Sequence, residues 1–155
     1  MSACTPELQQ LGEDGKPLPK LYDLANQDSA TVQFRVLDAV NALRSSAGHS
    51  NVSLNAQLTA AAATHSRDMS LQNRPWHFGS DGSSPLDRLV TYGYNGEFIG
   101  EHVSETFEDD FNTLDVWMNI PLSASIILDP KATKMGIAWH QDTNGQIWWV
   151  QSIAS

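Results

Sequence analysis

Two side chains of this sequence have the types needed for acid–base or metal chemistry in settings that imply order. One is His77, at the head of His77-Phe78-Gly79-Ser80-Asp81-Gly82-Ser83-Ser84-Pro85-Leu86-Asp87-Arg88; the other is Glu101, in Gly100-Glu101-His102. An imidazole beside a carboxylate can move a proton, contribute to a divalent-ion site, or tie a loop to a strand through one hydrogen bond. Between the two lie the makings of a sharp turn and a new helix. Gly79 and Gly82 permit positive φ, Ser84 can cap, Pro85 suits the first helical position and Asp87 the first turn. His77 is therefore expected on an ordered loop.

The reading of Gly100-Glu101-His102-Val103-Ser104-Glu105 depends on backbone period. As a helix it would pair His102 with Glu105; as a strand it puts Glu101, Val103 and Glu105 on one face, the carboxylates roughly 13 Å apart. Val103 and Thr106 are β-branched and favour the strand. Glu101 must then find its partner elsewhere. His102 joins it only if twist or a bulge turns the ring inward.

The elements that must hold these residues follow from periodicity. A helix is expected from about Thr31 to Ser46 on a Val32, Val36, Val40, Leu43 stripe widened by Phe34 and Leu37. A second starts at the Asn55 cap, carries Leu58, Ala61, Ala62, His65 and Met69, and ends near Asn73-Arg74-Pro75. A short third helix follows Ser84. A fourth spans about Asp109 to Met118, with Phe111, Leu114 and Met118 inward. Strands are expected at Phe98 to Thr106, Lys134 to Thr143 and Gln146 to Ala154. Asn144-Gly145 forms a two-residue hairpin loop that sets Trp139 against Val150 and His140 against Trp149. Helices first and strands last give an α+β layered domain over residues 28–155. Residues 1–27, with three prolines and two glycines among polar residues, read as a tail or tether, part of which, such as Leu21-Tyr22-Asp23-Leu24, can pack on the domain.

At 155 residues the chain fits one core, and five tryptophans are available to fill it or to line a cleft. The formal charge of -9 argues against nucleic acid and anionic membrane surfaces as partners. From Leu89 to Pro130 there is no Lys or Arg, while eight carboxylates fall there. This is either a solvated acidic face or a weak divalent-cation site. Cys4 is the single cysteine and cannot form an internal disulfide. Ser2-Ala3-Cys4 looks like the end of a bacterial lipobox, so Met1 reads as a start placed on a mature sequence and Cys4 as a lipidation site. The protein is then expected to be exported, as a periplasmic or outer-membrane lipoprotein or in secreted form, and bound to a membrane only through that lipid.

The order His77-Phe78-Gly79, Pro85-Leu86-Asp87-Arg88, Gly100-Glu101, Trp117-Met118-Asn119-Ile120-Pro121 and Met135-Gly136-Ile137-Ala138 resembles the bacterial branch of the CAP superfamily. These are the SCP-like domains related to cysteine-rich secretory proteins, antigen 5 and pathogenesis-related proteins. The resemblance implies an α/β/α sandwich with a small antiparallel sheet flanked by helices. It also implies a cleft that in the family is lined by two histidines and two glutamates, some of which bind zinc. His77 resembles the first histidine and Glu101 the glutamate of Gly-Glu-Asn, with His102 replacing the asparagine. Ser123 stands where bacterial relatives place the second histidine, and Ile120 where eukaryotic members place the second glutamate. Two of the four polar positions have changed, and a His77, Glu101 remnant is expected to hold a metal weakly.

Other constellations carry less. The run 79–83 lacks the spacing of a nucleophile elbow and reads as a turn. His65 reads as a core histidine, His140 as a packing partner, and Asp87 and Arg88 as loop-anchoring ion-pair residues. Three functions remain open. One is a non-enzymatic envelope module that binds a small molecule, a lipid or an envelope protein through the cleft or the acidic face. The second is a hydrolase using His77, Glu101 and Ser123; the third is a divalent-cation-dependent scaffold.

Overall fold

The computed structural model describes residues 11–16 and 22–155. Cys4 and the lipobox reading lie outside them. Helix α1 (Ser29–Ser46) starts where the Asp28 carboxylate accepts from Thr31 N–H, and buries Val32, Val36, Val40 and Arg44, one residue every four. Strand β1 (Ser53–Leu54) leads into α2 (Ala56–Gln72), capped by Asn55 and closed by Asn73 in the left-handed region at φ 50°. Helix α3 (Pro85–Thr91) opens with a reciprocal capping box between Ser84 and Asp87. Strand β2 (Phe98–Thr106) follows, then α4 (Asp110–Met118), α5 (Pro121–Ile127), β3 (Lys134–Gln141) and β4 (Ile147–Ala154).

The sheet runs β1-β3-β4-β2. Its three long strands are antiparallel, as expected, and the two-residue β1 adds a parallel edge. β4 is central and every residue of it is buried, because both faces of the sheet are covered. On one face Met135, Ile137, Ile147, Trp149 and Ile153 pack with Val32, Val36 and Val40 of α1 and Leu114 and Trp117 of α4. On the other, Ala138, Trp148 and Val150 pack with Ala62 and Met69 of α2. Gly136 allows that second contact to close: a Cβ there would stand 2.4 Å from the Leu58 carbonyl carbon. The result is an α/β/α sandwich.

Several expectations are corrected. The hairpin loop is one residue longer: Gly145 N–H bonds to Asp142 O and Asp142 N–H to Gln146 O, with Gly145 at φ 91°. This three-residue turn with a glycine bulge shifts the register by one, so Trp139 faces Trp149 and His140 faces Trp148. Phe34 and Phe111 are 56% and 49% exposed, not inward. On α4 the buried positions are Asp110, Thr113, Leu114 and Trp117, a helix rotated by one residue from the expected stripe. Asp110 takes the inner place because Arg35 neutralises it, with Arg35 Nε 2.7 Å from Asp110 Oδ2, and the Tyr22 hydroxyl donates to Oδ1. Helix α5 has no counterpart among the expected elements; its cap residue, Ile120, makes no side-chain capping bond. The expected packing of part of the segment before residue 28 is seen: Leu24 is in the core, and Gln141 holds its N–H and the Tyr22 carbonyl.

Arg44 is fully buried and makes no ion pair among the described residues. Its guanidinium donates to four backbone carbonyls, of Ser50, Ile127, Asp129 and Ala132, at 2.8 to 3.2 Å, tying the end of α1 to the segments that lead into β1 and β3. Arg44→Met strands these carbonyls in the core. It is expected to lower unfolding stability by about 3 kcal/mol or more in urea titrations.

Candidate functional site

Strand alternation sets what Glu101 can reach. In the β2–β4 register Glu101 stands opposite Ser152, Val103 opposite Val150 and Glu105 opposite Trp148, so these three share the α2 face, as a strand requires. His102, opposite Gln151, points to the other face. β2 is an edge strand, so the loop that carries His77 is tied to the rim of the sheet rather than to its centre.

His77 Nδ1 donates to Glu101 Oε1 at 3.1 Å. The pair is asymmetric: the imidazole is 49% exposed and the carboxylate 3%. Glu101 owes its burial to Arg88, an expected ion-pair residue whose partner the sequence does not name. Arg88 Nη2 donates to both carboxylate oxygens, at 2.8 and 2.7 Å, while Nη1 bonds the His77 carbonyl at 2.9 Å. Arg88 sits at the end of the first turn of α3, where the Ser84 cap and Pro85 fix its direction. The expected ion-pair role of Arg88 thus holds, with Glu101 as the partner and the His77 backbone as a second anchor. A family-like Pro-Leu-Asp-Arg motif is the available signal; sequence spacing cannot name the carboxylate.

The remaining candidates do not join this pair. His102 is buried; its Nδ1 donates to Gln151 Oε1 at 2.9 Å and its ring stacks on Trp117 at 5.2 Å. Ser123 lies within α5, and Ile120 is 47% exposed at its head. Neither makes a hydrogen bond to His77 or Glu101 among the described residues. No group of three His, Cys, Asp or Glu residues converges among the described residues either. Zinc takes three or four such donors. One half-exposed imidazole beside a carboxylate held by an arginine does not fit it. In the acidic segment, Asp110 and Glu101 are neutralised internally by Arg35 and Arg88.

His65, expected in the core, is there: Nε2 donates to the Trp76 carbonyl at 2.7 Å, and the buried Nδ1 has no partner among the described residues. Burial holds both His65 and His102 below the ordinary imidazole value, the Arg88 charge adding to the effect on His65. His140 departs from a pure packing role. Its Nε2 lies 3.2 Å from Asp142 Oδ1, an oxygen that also accepts from Ser70 at 2.6 Å, and Trp148 Nε1 donates to Oδ2 at 2.8 Å. Burial raises the Asp142 carboxyl, but these bonds outweigh it and hold the group below its usual range. Ser70 donates to the carboxylate, so this cluster supplies no serine–imidazole contact for nucleophilic attack.

The sequence matches the cysteine-rich secretory protein (CAP) family over residues 37–153. The chain belongs to the CAP family. A curated relative, the uncharacterised protein YkwD of Bacillus subtilis, is 26% identical over 119 residues, covering 77% of this chain and 46% of YkwD. This CAP chain thus spans less than half the length of that relative. Among solved structures it is similar to an extracellular SCP-domain protein of Bacillus anthracis (TM-score 0.73, 20% identity, 81% of this chain and 40% of that one). It is also similar to an outer surface protein of Borrelia burgdorferi (TM-score 0.70, 15% identity, 83% and 96%). A third is a cysteine-rich secretory protein of Staphylococcus aureus (TM-score 0.71, 16% identity, 94% and 45%). At these identities the structures share the fold.

Two outcomes are expected from this geometry. Arg88→Met leaves a buried carboxylate uncompensated and should cost about 3–5 kcal/mol, whereas His77→Ala, which removes one bond at a half-exposed ring, should cost about 1 kcal/mol. Chemical denaturation of both variants checks the order. Because His65 and His102 titrate below their unfolded values, the unfolded chain binds more protons in weak acid. Stability should therefore fall as pH drops below about 6.5, and His65→Gln should flatten that slope in urea midpoints measured against pH.

Proposed function

We propose that this CAP domain is an exported, non-enzymatic binding module, in which the His77–Glu101 pair shapes a recognition surface and converts nothing. The observation that carries the reading is the Arg88 clamp: one nitrogen holds both oxygens of Glu101, and the carboxylate is almost without solvent contact. A general base or a metal ligand needs a carboxylate lone pair directed at substrate or ion. Here that capacity goes to an internal ion pair, and only the outer edge of His77 faces solvent. The words extracellular and outer surface attached to the similar bacterial structures support export. In this reading Cys4 carries the lipid that brings the domain to a membrane, and the bound partner is a small molecule, a lipid or an envelope protein.

Calorimetric titration of the metal-stripped full chain with Zn²⁺, Ca²⁺ and Mg²⁺, run beside ester and peptide turnover assays, tests this. No saturable metal binding and no turnover above the level of His77→Ala is expected. An envelope component retained by the wild type in native mass spectrometry should be retained several-fold less by His77→Ala. Turnover or saturable zinc binding that disappears in His77→Ala would replace the reading with a metal-assisted hydrolase.

A further inference from the structure

Helix α1 has two faces with different fates. Val32, Val36 and Val40 enter the core, while the row Ala30, Phe34, Asp38, Ala42 and Ser46, also spaced by four, is exposed beside α4. Two depressions of about 650 and 390 Å³ lie along this row. Ala39 and Phe111 line both, so they form one shallow groove between α1 and α4. From Ala30 to Ser46 it follows α1 for about 24 Å at the helical rise. Its large apolar side chains are open to water: Phe34 is 56% and Phe111 49% exposed. Phe111 is nonetheless held in place, because Arg35 lies over its ring at 5.6 Å and is itself fixed by Asp110.

The charges select what can cover such a groove. Asp28, Asp38 and Asp115 line it, are exposed, and make no ion pair among the described residues. Arg35 is the one cation in the lining, and Asp110 already answers its charge. An anionic amphiphile would bring its own carboxylate or phosphate against these three carboxylates. A wholly apolar surface would cover them without giving them a partner. A segment that carries Lys or Arg beside its apolar side chains meets both conditions. It seats the apolar groups on Phe34, Phe111 and Leu43 and its cations on the acidic rim. The groove runs the length of about four helical turns, which suits a stretch of polypeptide rather than a small molecule.

We propose that the α1–α4 groove is a docking surface for a cationic amphipathic segment of a partner protein. The groove lies on the face of the sheet opposite to Glu101 and His77, so its failure would leave the recognition reading of that pair untouched. The test is calorimetric titration of the full chain with a short peptide of leucine and lysine at helical spacing, beside its leucine–glutamate counterpart and dodecanoate. The leucine–lysine peptide should bind saturably in the micromolar range, and the two anionic probes should not bind. Phe34→Ala and Phe111→Ala, at exposed rings, should each weaken binding about tenfold, the weight of one aromatic anchor. Asp38→Lys combined with Asp115→Lys should weaken it about tenfold and flatten its dependence on salt. Glu97→Lys combined with Glu105→Lys, the same change of charge outside the groove, should stay within about twofold of the wild type. Unchanged urea midpoints separate lost docking from lost folding. Absence of saturable binding, equal binding of either anionic probe, equal losses in the two charge-reversed pairs, or binding indifferent to both phenylalanines would overturn the proposal. Self-association in sedimentation that the phenylalanine variants abolish would overturn it in favour of a second copy of this chain.

Discussion

A carboxylate taken out of water has to be neutralised where it lies, and Glu101 imposes that condition on one whole side of this molecule. Its side chain is 3% exposed on an edge strand. Arg88 meets the condition from α3, which requires α3 to start where it does, under the Ser84–Asp87 capping box and the Pro85 turn. Arg88 also binds the His77 carbonyl, so the same guanidinium that neutralises the strand fixes the loop. The position of His77 depends on this ion pair, while Asp68 and Gln72 of α2 hold the following residues, Phe78 and Ser80, directly.

The pattern repeats elsewhere. Arg35 neutralises the buried Asp110, and Arg44 serves four backbone carbonyls inside the core. Three of the nine basic residues are thus used to hold elements together. A sequence that is already acidic shows an even more acidic exterior, where the exposed Arg67 of α2 makes no ion pair among the described residues. The planar, five-donor guanidinium suits each of these tasks, whereas an ammonium serves as a point charge.

Much of the fold was legible because its signals are local. Asp28, Asn55 and Ser84 announce helix starts; Val32, Val36 and Val40 announce a buried face; the β-branched residues of 98–106 announce a strand. The misses are of a different kind. Asn144-Gly145 marks a hairpin but does not distinguish a two-residue from a three-residue turn, and one residue of difference moved His140 from Trp149 to Trp148. Phe111 looks like a core residue by type. Asp110 displaced it because an arginine far away in sequence made burial of the carboxylate favourable. Residues 120–127 carry no side-chain cap and no long apolar stripe, so Pro121 at the first helical position was the one local sign of α5.

The site divides in the same way. By itself the sequence determined that His77 stands on an ordered loop before a capped helix and that Glu101 lies on a strand sharing a face with Val103 and Glu105. Tertiary structure alone decided that Arg88 takes both oxygens of Glu101, that His102 turns to Gln151 and Trp117 on the opposite face, and that Asp68, Asp81 and Ser83 converge at Gly79. Caps, turns and strand alternation are written in neighbouring residues, whereas the neutralisation of a buried charge is settled by whichever distant group the packing brings within hydrogen-bond reach.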